Sequence, residues 1–123
     1  MTKIGIIRCE KNEKKCPLTG GINSLAQQTQ GFASYDQAQL TGVFTCRGDM
    51  DDVANMAKIL KAKGAETIHV PTCLFANKSD GTWIMEGGGF CDQLETLTDR
   101  IMEAGIPCVQ GTAHLPKGYV PKV

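Results

Sequence analysis

The sequence predicts an α/β fold with a parallel sheet, on three observations. Four short runs rich in β-branched and aromatic residues, 3–8, 40–45, 67–71 and 106–110, read as strands. Helix-period patterns separate them. The first three runs are each followed within two residues by a cysteine, Cys9, Cys46 and Cys73, and the fourth leads through Gly111-Thr112-Ala113 to His114.

The first crossover, residues 21–30, places Ile22, Leu25, Ala26 and Thr29 at helical spacing before 31–36 lead toward the second strand. The second, 49–63, is the clearest. Val53, Met56, Ala57 and Leu60 fall at i, i+3, i+4 and i+7, Asp49 can cap the start, and Gly64 can end it. The third, 90–104, aligns Leu94, Leu97 and Ile101 and stops at Gly105.

Strand and helix alternating three times with a final strand wind, through right-handed crossovers, into an open, mostly parallel four-stranded sheet covered on both faces. The expected class is three-layer α/β of the flavodoxin or Rossmann kind, one domain over 1–123. Such sheets bind ligands outside the carboxyl ends of their strands, near the point where strand order reverses. Cys9, Cys46, Cys73 and His114 are expected on that edge.

At 123 residues the chain can bury about two thirds of its unfolded surface without disulfides. Thirteen Lys and Arg balance thirteen Asp and Glu, which gives no electrostatic reason to expect nucleic acid or an anionic membrane as partner. A metal ion or small molecule fits better. The short apolar run at the start falls far short of a signal-peptide core or a roughly 20-residue span, so a cytoplasmic location is expected. Six thiols in a reducing compartment point to metal ligation, redox chemistry or plain burial rather than three structural disulfides.

Cys46 is placed between a strand end and a helix start, where backbone N–H groups and the helix dipole favour thiolate; Arg47 can add to that. Cys9 and Cys16 bracket a charged loop, and Pro17 holds Cys16 extended, which suits a loop folded back over the strand ends. Cys91 follows Gly87-Gly-Gly-Phe90 at the expected start of the last helix. Cys108, inside the fourth strand, reads as core, and His69, within Ile68-His-Val70, as a structural histidine. Asp49, Asp51 and Asp52 complement a helix dipole, although Asp49 is also close enough in sequence to Cys46 to share a metal. The long loop 74–89 is of lid or binding-loop length, with Trp83 and Met85 able to cover the site.

A metal reading needs three or four soft or borderline ligands in one place, and Cys9, Cys46, Cys73 and His114, with Cys16, offer such a set for zinc or iron. A thiol redox or transferase enzyme acting through Cys46 needs only a thiolate and, for redox work, a second thiol within about 6 Å between Cα atoms. A small-molecule domain closed by the Trp83 loop, with incidental cysteines, is the third reading. A Cys-based phosphatase is disfavoured, because Lys15 stands where the phosphate-gripping Arg would follow Cys9.

The segments Ile4-Gly-Ile-Ile-Arg-Cys9, Lys15-Cys-Pro17, Gly42-Val-Phe-Thr-Cys46, Lys63-Gly-Ala-Glu-Thr-Ile-His69, Cys73, Ala104-Gly-Ile and Gly111-Thr112 resemble the CGGC-domain family of small bacterial and archaeal proteins. That family is named for a Cys-Gly-Gly-Cys segment and is described as metal-binding on the strength of its Cys and His residues. The resemblance implies zinc or iron and brings no reaction with it. The chain departs from the naming motif at Cys46-Arg47-Gly48-Asp49, where Asp49 replaces the second Cys.

Overall fold

The computed structural model describes residues 2–79, 81–85 and 89–113. Its main sheet has four parallel strands in the order β2-β1-β3-β6, formed by β1 (Thr2–Cys9), β2 (Ala38–Cys46), β3 (Thr67–Val70) and β6 (Cys108–Gln110). The chain steps from β1 outward to β2, then crosses back over β1 to β3. Strand order therefore reverses between β1 and β3.

Period-two alternation sends successive β1 side chains to opposite faces. Ile4 packs with Leu25 of α2 (Thr19–Gln27) and with Phe32; Ile7 joins Val53, Ala57 and Leu60 of α3 (Met50–Ala62) and Leu97 and Ile101 of α4 (Leu94–Glu103). Three layers result, with α3 and α4 together on one face. Burying each large aliphatic is worth about 1.5–3 kcal/mol, and Ile4, Ile7, Val53, Leu97 and Ile101 are wholly buried. The side chain of Asp49 accepts the Asp51 N–H at 2.9 Å and caps α3; Gly64, at φ 106°, follows its end.

His69 of β3 ties the second half of the sheet together. It is fully buried; its Nδ1–H donates to the Gly111 carbonyl at 2.8 Å, which leaves Nε2 to accept from the Tyr35 hydroxyl at 2.8 Å. Phe32 stacks on it with ring centroids 4.3 Å apart. Burial pushes its pKa down to about 4, against the Gly111 bond, so the ring is neutral.

Several elements differ from expectation. Residues Glu10–Glu13, expected as loop, form a helical turn, α1. The long loop folds part of itself into an antiparallel hairpin, β4 (Asn77–Ser79) with β5 (Thr82–Ile84), built on the β-formers Thr82-Trp83-Ile84. α4 starts at Leu94 rather than near residue 90, because the segment before it is held to β3's exit. Cys108 is core, 2% exposed, with burial pushing its thiol up to about 12. Among the described residues, no helix is long and apolar enough to cross a membrane.

Candidate functional site

The carboxyl ends of β1, β2 and β3 do bring thiols to one rim, and the rim is divided. Cys9 and Cys46 are register partners in adjacent strands. Neighbouring strands lie about 4.8 Å apart and in-register residues project to the same face, so these two side chains stand together. A third thiol joins them. Cys91 lines a cavity of about 160 Å³ with Cys9, Cys46, Glu10, Arg47 and Asp92.

Backbone pairing places Cys91 there. The Phe90 N–H donates to the Cys73 carbonyl at 2.8 Å and the Cys91 N–H to the Leu74 carbonyl at 3.0 Å. The chain can lie this close only because residue 89 is glycine: a Cβ there would sit 2.3 Å from the Leu74 oxygen. Phe90 then walls off a second cavity, lining both.

The second cavity, about 220 Å³, holds Cys16 and Cys73 with Asn12, Trp83 and Thr112. Asn12, 1% exposed, spans the β1–β3 crevice. Its Nδ2 donates to Cys73 Sγ at 2.7 Å while its Oδ1 accepts from Arg8 Nε at 3.2 Å. Arg8 also donates through Nη2 to the Cys16 carbonyl, and Cys16 Sγ accepts the Leu18 N–H at 3.3 Å. The guanidinium thus folds the 10–16 segment back over the strand ends, as expected for Cys16.

Surroundings push these thiols up. For Cys46, burial raises the pKa most; the Gly48 N–H bond opposes it, and Cys9, Asp52 and Asp49 add to it. Cys91 follows the same pattern: burial first, a Gln93 bond opposing, then Cys9, Cys46 and Asp92 adding. Cys73 reaches about 11, chiefly through burial and then Cys16, with Arg8 pulling the other way. The expectation of a thiolate-favouring Cys46 is therefore corrected: burial outweighs the helix start, and Asp52 and Asp49, the latter already capping α3, add to it. Cys91 lies outside the helix, two residues before the N-cap Gln93.

The set expected from sequence is thus split. Cys9 and Cys46 are together, Cys16 and Cys73 share the other cavity, and His114 lies outside the described residues. Asp49, in the position of the family's second cysteine, is spent on its cap and does not line the Cys9 cavity. The sequence reading assigns no role to Asn12 or Arg8, and the close backbone approach that the glycines before Phe90 suggest is at residue 89, against Leu74. The available signal was Arg8, a charge inside an otherwise apolar strand run. Soft sulfur donors suit a thiophilic metal, but among the described residues no three Cys, His, Asp or Glu side chains converge closely enough to hold an ion. No curated protein and no solved structure matches the chain. A family model described as CGGC domain matches residues 3–113, and the chain belongs to that family.

Proposed function

We propose that this CGGC-domain chain binds a thiophilic transition metal, zinc or iron, through Cys9 and Cys46, with Cys91 as the third ligand in place of the more distant Cys73 and Cys16. The observation that carries the reading is three thiols lining one cavity beside Asp92 and near Asp49 and Asp52. Cys46 and Cys91 have pKa values raised by burial, by Cys9 and by carboxylates, surroundings a cation reverses: coordination deprotonates the sulfur and turns each repulsion into attraction. Binding would require these side chains to rotate toward one another, because among the described residues no three possible ligands converge as they stand.

Titration with Co(II) under anaerobic conditions tests this through sulfur-to-metal charge-transfer absorption. Cys9→Ser, Cys46→Ser and Cys91→Ser should each remove the band, Cys16→Ser and Cys73→Ser should leave it, and His114→Ala reports whether that residue is the fourth ligand. Absence of the band at any ratio in the unmodified chain, or equal loss in all five Cys variants, would overturn the reading.

A second reading follows from the in-register pair. Adjacent-strand spacing falls within the Cα window for a disulfide, so Cys9 and Cys46 can pass two electrons and two protons to an oxidising disulfide, forming their own bond and releasing two thiols. A Cys9–Cys46 crosslink after treatment with oxidised glutathione, undiminished by prior chelation, would favour it over the metal.

A further inference from the structure

The larger cavity holds two thiols that the metal reading does not use. Cys16 and Cys73, both half-buried, line it together. They come from distant parts of the chain and meet around one residue. Asn12 accepts the Cys16 N–H on its main-chain carbonyl at 2.9 Å, and its side-chain Nδ2 donates to Cys73 Sγ at 2.7 Å.

The Asn12 amide is held in that direction. It is buried, and its Oδ1 accepts from Arg8 Nε at 3.2 Å, which leaves the Nδ2 end for the sulfur. Arg8 also donates through Nη2 to the Cys16 carbonyl, so one guanidinium fixes the position of Cys16 and of the amide on Cys73. An N–H aimed at a sulfur, with a cation behind it, stabilises the negative charge that thiol–disulfide exchange develops there.

The two thiols also act on each other. After burial, Cys16 is the largest influence raising the Cys73 pKa, whereas Cys9 contributes least of all. Leu18, Pro71, Trp83 and Phe90 give the same cavity apolar walls. Its volume of about 220 Å³ suits one aromatic ring, since an apolar space of about 150 Å³ already takes benzene.

We infer that Cys16 and Cys73 form a redox dithiol of their own, whose substrate is a small organic disulfide with an aromatic body seated against Trp83 and Phe90. Cys16 attacks the disulfide RS–SR: the S–S bond breaks, a Cys16–S–S–R bond forms, and the Cys16 proton leaves with the first RSH. Cys73 then attacks Cys16 Sγ, loses its proton to the second departing RSH, and leaves a Cys16–Cys73 bond. Two thiols are oxidised and one disulfide is reduced, by two electrons. Cys73 acts second because burial holds it protonated, with a pKa of about 11. No metal takes part.

The test uses the reduced chain with EDTA present, which keeps it apart from the metal reading. Locating each crosslink by tandem mass spectrometry keeps it apart from a Cys9–Cys46 bond. One equivalent of dipyridyl disulfide should produce the Cys16–Cys73 bond and release two pyridinethiones for each bond formed. Cys73→Ser should stop at a pyridyl disulfide on Cys16. Trp83→Ala should slow the labelling of Cys16 roughly three- to tenfold, the worth of one aromatic contact, and leave that of Cys9 unchanged. A Cys9–Cys73 bond in place of Cys16–Cys73, a pyridyl disulfide that persists on Cys16 in the unmodified chain, or equal labelling of Cys16 with and without Trp83 would overturn the inference.

Discussion

The two cavities share Phe90 as a wall and each holds more than one thiol, yet charged side chains of both signs line the smaller, while the described lining of the larger carries none. Around Cys46 and Cys91 burial and the carboxylates Asp49, Asp52 and Asp92 raise the thiol pKa values, and Lys11 and Arg47 line the same cavity. Around Cys73 the neighbouring charge is the Arg8 guanidinium, which lowers it, and the cavity beside it opens on an uncapped helix start. Proximity of sulfur therefore does not define one site.

The largest break in this comparison should come from His69, which ties β3 to Gly111 beyond β6 and to Tyr35. His69→Leu leaves the Gly111 carbonyl and the Tyr35 hydroxyl without their partner, at about 1–3 kcal/mol each. The urea midpoint should fall accordingly. Amide exchange should rise at 68–70 and 108–111 well before it does along the β1–β2 ladder; uniform loss of protection would break the division into halves. The same residue sets a pH dependence. Its folded pKa, about 4, lies below the ordinary 6.5, so the folded state resists protonation. Its stabilisation is fully present above pH 6.5 and is lost as pH falls through about 4, on the order of 3 kcal/mol in all. Urea midpoints of the unmodified chain should show that decline, and His69→Leu should lack it.

Gly89→Ala should have an intermediate effect and act on both cavities at once, because it pushes the Phe90 wall away from β3's exit. The methyl would meet the Leu74 carbonyl at 2.3 Å, an overpacking that costs about 1–3 kcal/mol. Trp83 fluorescence and the alkylation rate of Cys91 should both change. A change confined to one would mean that Phe90 does not couple the two sides.

Much of this arrangement was legible in the sequence, and the parts that were not share a cause. Period-two runs and the i, i+3, i+4, i+7 stripe of α3 are local signals, so the four strands, the parallel sheet and the rim carrying Cys9, Cys46 and Cys73 could be read from them. The division of that rim depends on contacts distant in sequence: Asn12 to Cys73, Phe90 to the Cys73 carbonyl, Arg8 to the Cys16 carbonyl. Gly89 gave only a glycine-rich stretch, with nothing to say that Leu74 would lie against it. Cys46 was misjudged for a related reason. Its strand-to-helix position matches the expectation, but the fold buries the thiol, which raises its pKa more than a helix start lowers it, and Asp49 already occupies that start.

Asp49 offers the smallest and most selective test, since its two effects can be separated. Asp49→Ala removes the N-cap of α3, which should cost about 1 kcal/mol. It also removes a negative charge near Cys46, so the thiol's pKa should fall and iodoacetamide should modify it faster at a fixed pH of 8. Asp49→Asn keeps a good cap and removes only the charge. It should leave the urea midpoint where it was and still speed the reaction. Because Asp49 is exposed, the gain should shrink at about 1 M salt, where the screening length drops to about 3 Å. Cys73, whose neighbouring charge is Arg8, should react at an unchanged rate in both variants. If Cys73 accelerated with Cys46, the two sides would share one field, and the division of the rim would lose its electrostatic basis.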